Sequence, residues 1–165
     1  MAMNSLKDVY IDQCQDLYSA CKQSLGVTRR LAEAARNAEL KSALEAGADG
    51  IEDGMKKIGE IAKAHGADPE GEHCMGMEGL VKEARSHALE EEWADEDAQD
   101  AMIISQYQRM THYAIAGWGT LRAFAQRLGL EDDARILKEN LDHTYSGDRH
   151  MSAIAEGQVN KAAMS

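Results

Sequence analysis

The segment His112-Tyr113-Ala114-Ile115-Ala116-Gly117-Trp118-Gly119-Thr120-Leu121 lies inside a run from Glu96 to Leu128 that no proline interrupts. Asp95 can cap the start of that run, and Gly129 supplies a left-handed stop just past its end. The run therefore reads as one long helix. The chain's single proline, Pro69, leaves room for other helices of similar length. Alanine, leucine, glutamate and lysine are plentiful and aromatic residues make up only 5%, which favours helix over sheet.

Apolar spacing extends this pattern through the rest of the chain. A first helix is predicted from about Ser5 to Arg36, with Ser5 as its cap and Asp8 in its first turn. Leu6, Tyr10, Cys14, Leu17, Cys21, Thr28, Leu31 and Ala35 fall at helical intervals on one face of it. A second helix is predicted from about Ala38 to Ala64, with Leu40, Leu44, Ile51, Met55, Ile58 and Ala62 turned inward. Gly47, Gly50, Gly54 and Gly59 interrupt it, each at a cost of roughly 1 kcal/mol relative to alanine. Such a helix needs strong tertiary support, a close neighbour or a tolerated void. Breakers from His65 to Gly71 mark a loop, and a short helix is predicted from about Met77 to Glu90. The last helix is predicted from about Glu131 to Gln158, with Ala134, Leu137, Leu141, Thr144, Asp148, Met151 and Ala155 on its inner face. No internal repeat is evident. Four long helices and one short one describe an all-α four-helix bundle with a crossover segment, a single domain over residues 1–165.

Composition narrows the function. The chain has 165 residues, of which 44% are hydrophobic, enough to bury a core. Its formal charge of −11 argues against binding to nucleic acid or anionic membranes, because phosphates repel an acidic surface. No apolar run approaches the roughly 20 residues that span a bilayer, and the start shows no apolar signal region, so a cytoplasmic location is expected. Cys14, Cys21 and Cys74 show no paired metal-ligand spacing, and Cys14 and Cys21 are too far apart along one helix for a disulfide. The acidic stretch from Glu90 to Asp100 lacks the ordered spacing and turn glycine of a calcium loop and reads as a solvated connection.

Three segments share a likeness. Asp16-Leu17-Tyr18-Ser19-Ala20-Cys21-Lys22-Gln23, Cys74-Met75-Gly76-Met77-Glu78-Gly79-Leu80 and the Tyr113 segment together resemble the YciE/YciF family of ferritin-like bacterial proteins, over nearly the whole chain. The resemblance implies a ferritin-like bundle, a cytoplasmic protein associated with stress responses, and a homodimer. It also implies inward glutamates that are candidate ligands of a dinuclear metal centre. At those positions this chain departs from the family pattern: it carries Cys21, Gly50, Ala114 and Thr144, while Asp148 matches an acidic position of the family.

Carboxylates neutralise and bridge metal cations in bundle sites, and imidazoles complete the coordination. The residues of this chain leave three readings of function. In the preferred one, the protein is a divergent, non-catalytic member with no cofactor. In the second, it is a metal-binding oxidase holding iron or another transition metal at a site rebuilt from Asp49, Glu52, His112, His143 and Asp148. Asp148 has two other options, an arginine partner such as Arg109 or Arg122, or access to water. In the third, small residues at Gly50, Gly54, Ala114, Gly117 and Gly147 leave an interior void for a small molecule, unless the helices close over them. His73-Cys74-Met75-Gly76-Met77 has soft donors suited to cuprous copper, although packing explains the same residues. No phosphate loop or nucleophile motif is present.

Overall fold

Ser5 begins the first helix as its spacing predicts: its hydroxyl accepts from the Asp8 N–H at 3.1 Å, and α1 runs Leu6–Ala34. The computed structural model describes residues 2–164, and no strand occurs among them. Helix α2 runs Ala38–Ala64, capped by Asn37, whose side-chain oxygen accepts from the Leu40 N–H at 3.0 Å. Helix α3 runs Met75–Ala84 and continues through a π-helical turn, Arg85–Glu90. Helix α4 runs Glu96–Arg127 behind an Asp95 cap. It stops where Gly129 takes a φ of 71°, with the Leu130 N–H closing back onto the Ala125 carbonyl at 2.9 Å. Helix α5 runs Glu131–Ile154 and carries on through a π turn, Ala155–Val159, and a last turn, Asn160–Ala162.

Three boundaries differ from the predicted ones by two residues or more, each for a local reason. Helix α1 ends before Arg36 because Ala35 turns to extended backbone, and the Asp100 carboxylate takes up the next two N–H groups. Helix α3 begins before Met77 because Cys74 caps it, its sulfur accepting from the Met77 N–H at 3.4 Å. Helix α5 outlasts Gln158 because the π turn carries the helix past it rather than ending it.

Helix α1 packs on α2 and α4, and α5 packs on α4 and α2, so the four long helices form a ring with two diagonals. Polar contacts fix their directions. At one end, the Tyr10 hydroxyl donates to the Asp133 carboxylate at 2.9 Å. His65, just past α2, lies 2.6 Å from the same carboxylate oxygen and 2.6 Å from the Lys7 ammonium. An ammonium only donates, so His65 Nδ1 accepts and Nε2 carries the proton toward Asp133. At the other end, Asp100 near the start of α4 binds the N–H groups of Arg36 and Asn37 at 2.9 and 2.7 Å. Asn37 also donates to Gln158 at 3.3 Å. Helices α1 and α5 therefore run one way, and α2 and α4 the other. The link between the parallel pair α2 and α4 must travel the length of the bundle, and α3 does so against α1 and α4.

The core between the two ends is led by Tyr10, Leu31, Leu40, Leu44, Ile58, Ile103, Leu121, Leu137 and Met151, all under 2% exposed. The glycines of α2 have close neighbours. A β-carbon at Gly47 would meet the Tyr107 hydroxyl, one at Gly54 the Trp118 ring and Asn140, and one at Gly59 the Tyr18 ring. Bulky side chains of α1, α4 and α5 thus seat against bare stretches of α2. The small residues named as a source of void divide. Gly54, Gly117 and Gly50 are covered, by Trp118, Leu17 and His143 in turn, whereas Gly147 has nothing within 4 Å of where a β-carbon would stand; Gly50, Ala114 and Gly147 line a cavity.

Candidate functional site: a carboxylate-free cavity at mid-bundle

Midway along the four long helices lies a cavity of about 80 Å3. Helix α1 contributes Cys21, Ser24 and Thr28, and α2 contributes Gly47, Gly50 and Ile51. Helix α4 contributes Tyr107, Met110, Thr111, Ala114 and Trp118, and α5 contributes Asn140, His143, Thr144 and Gly147. The spacings of three and four along α4 and α5 place these residues on one face of each helix. Cys21, Gly50, Ala114 and Thr144, the four positions at which the chain departs from its resemblance, all lie on this wall.

The wall carries no aspartate, glutamate, lysine or arginine. Burial pushes the Cys21 thiol up to about 12, so it stays protonated at neutral pH. Burial likewise pushes the Tyr107 hydroxyl upward. Three wall hydroxyls are turned back onto their own helices. Ser24 donates to the Cys21 carbonyl at 3.2 Å, Thr111 to Tyr107 at 2.9 Å, and Thr144 to Asn140 at 2.7 Å. Thr28 differs: its side chain is wholly buried and its hydroxyl has no hydrogen-bond partner among the described residues.

The five residues of the rebuilt-metal reading are not brought together. Asp49 is exposed on α2, and Glu52 pairs with Arg29 at 3.1 Å. His112 and Asp148 meet at 3.0 Å in a groove between α4 and α5, away from the cavity. His143 alone reaches the cavity wall. For Glu52 and His112 the physical reason is helical phase, whereas Asp148, four residues after the wall position Thr144, is held in the outer groove by Gln108 and His112. Glu52 and His112 each stand two residues from a wall position, Gly50 or Ala114, and two residues turn a side chain through about 200°. Among the described residues no group of three or more histidines, cysteines, aspartates or glutamates is placed to hold a metal ion. The wall offers one imidazole and one protonated thiol with no carboxylate, so these residues do not fit a dinuclear iron centre. Asp148 takes neither arginine as partner: Gln108 donates to it at 3.2 Å and His112 lies on its other oxygen.

The remaining candidates are also dispersed. His73 pairs with Glu78 at 2.6 Å and Met75 is exposed, while Cys74 and Met77 are buried. Cys74 lies 3.0 Å from the Tyr113 hydroxyl, whose ionisation burial opposes. All three cysteines are buried and free. Thr28, Tyr107 and Asn140 were not singled out from sequence as site residues. Tyr107 stands seven residues before Ala114, and Asn140 four before Thr144, so their spacing carried the signal.

Comparison with known proteins agrees with the architecture. Residues 5–164 match the family described as Domain of unknown function (DUF892). Protein YciF of Escherichia coli (strain K12) is 32% identical over 164 residues, covering 99% of this chain and 98% of that protein. The crystal structure of the E. coli stress protein YciF superposes with a TM-score of 0.88 at 31% identity, over 96% of this chain and 99% of that one. YcfI of Rhodopseudomonas palustris superposes with a TM-score of 0.85 at 30% identity, over 92% of this chain and 96% of that one. A bundle of this topology, matched along almost its whole length in sequence and in structure, belongs to the DUF892 family of YciF-like proteins.

Proposed function

We propose that this chain is a stress-associated, YciF-type protein that works without a dinuclear iron centre, as a non-catalytic cytoplasmic bundle that pairs into a homodimer. The stress association follows the printed description of its E. coli relative, and pairing follows the resemblance. One observation carries the metal-independent part: the mid-bundle wall holds Cys21, Gly50, Ala114 and Thr144 and no carboxylate. Two iron cations in a low-dielectric interior need several anionic ligands to offset their charge.

Elemental analysis of untagged protein, expressed aerobically with added iron, tests this. Less than stoichiometric iron is expected, and Asp148→Asn should leave the metal content unchanged. About two irons per chain, the content of a dinuclear bundle site, would overturn the reading. Light scattering at micromolar concentration tests the pairing: twice the chain mass of 18.1 kDa is expected, and a monomer would count against it. The oxidase alternative needs Asp49, Glu52, His112, His143 and Asp148 to converge, and no observation favours it.

A further inference from the structure

We propose that the mid-bundle cavity is a binding site for a small uncharged organic molecule, largely apolar and carrying one hydrogen-bonding group, which passes between α2 and α5 at His143. The proposal rests on the metal-independent reading of the interior given above. Four observations lead to it.

The first is size. At about 80 Å3 the cavity exceeds the 10–15 Å3 that a single water needs and falls short of the roughly 150 Å3 that admits benzene. A short-chain alcohol, ketone or amide fits that interval. The second is charge. No carboxylate, ammonium or guanidinium lines the wall, so a charged guest would lose its water and gain no permanent counter-charge. The third is polarity. Leu17, Ile51, Met110 and Trp118 supply apolar surface, and the wholly buried Thr28 hydroxyl lacks a partner. Buried hydroxyls are seldom left unmet, and a guest whose hydroxyl or carbonyl displaces the side chains packed over Thr28 would meet this one.

The fourth is access. An outer groove lined by Ser42, Ala46 and His150 shares Gly47, Tyr107, His143 and Gly147 with the cavity. A β-carbon at Gly50 would lie 2.9 Å from His143 Cε1, so the ring spans the bare backbone there. Gly147 opposite has nothing within 4 Å of where its β-carbon would stand. His143 is exposed, and exposed side chains change rotamer in picoseconds to nanoseconds. Rotation of that ring opens the groove into the cavity.

Two-dimensional NMR of the full chain tests the site with 1-propanol, propionate and propylammonium, three probes of similar length and different charge. Weak binding is expected of so few atoms, so titration extends to tens of millimolar. 1-Propanol should give saturable shifts at Cys21, Thr28, Ala114 and Trp118, and the two ions none. Ala114→Leu, which fills the space, should abolish the response. Thr28→Val keeps the shape and removes the hydroxyl, and should weaken 1-propanol about tenfold, the worth of one hydrogen bond. If Ala114→Leu does not fold, Thr28→Val decides alone. No saturable shift with 1-propanol, an equal response to the ions, or unchanged affinity in Thr28→Val would overturn the proposal. Stoichiometric iron in the purified protein overturns both this site and the metal-independent reading. Iron-free protein that does not bind 1-propanol overturns this site alone.

Discussion

Asp100 is 1% exposed and has no cationic partner among the described residues. Its two oxygens receive the N–H groups of Arg36 and Asn37, the two residues that turn the chain from α1 into α2. A buried carboxylate persists when such charge-assisted bonds satisfy it. Asp100→Ala leaves both N–H groups unmet, and a loss of about 2–4 kcal/mol is expected. Urea denaturation measures it; a change below about 0.5 kcal/mol would refute the role, being ordinary for a surface substitution. Nothing local in the sequence announces this residue. It closes an acidic stretch that reads as a solvated connection, and its partners lie 64 and 63 residues away. Thr28 shows a similar limit. Its place on the apolar stripe of α1 was legible, but its unmet hydroxyl depends on how side chains of other helices pack around it.

At the scale of elements, the long helices were legible because caps and apolar period agree. Ser5, Asp95 and Gly129 stand where the apolar runs start and stop, and each performs its expected backbone role. The two π turns were not legible, since one extra residue in a turn leaves little trace in apolar spacing. The glycines were half legible. Their cost could be read from sequence, but not what repays it, because the Tyr107, Trp118 and Tyr18 rings come from other helices. This gives a paired prediction. Gly26 in α1 has nothing within 4 Å of a β-carbon, so Gly26→Ala should stabilise by about 0.5–1 kcal/mol. In Gly47→Ala the methyl group meets the Tyr107 hydroxyl, and overpacking should destabilise by about 1–3 kcal/mol despite the better helix propensity. Thermal unfolding of the two variants checks both; shifts of the same sign would refute the account.

At the scale of the whole molecule, the polar clusters around Asp133 and Asp100 sit at opposite ends of the bundle, and the cavity lies between them. Helix α2 is held by apolar burial near both ends and carries three of its four glycines across its middle. Helices ordinarily open from their ends, because terminal groups lack intrahelical partners. In α2 the order should be inverted. Leu40, Leu44, Ile58 and Ala62 near its ends are 0% exposed, whereas the centre carries Gly47 and Gly50 on the cavity wall and Gly54 just past it. Amide hydrogen exchange along α2 should therefore show two maxima of protection flanking a minimum around Gly47–Gly54, where a single central maximum would contradict this. Such a bundle yields at its waist while both ends hold, so its interior can trade contents with the solvent without global unfolding.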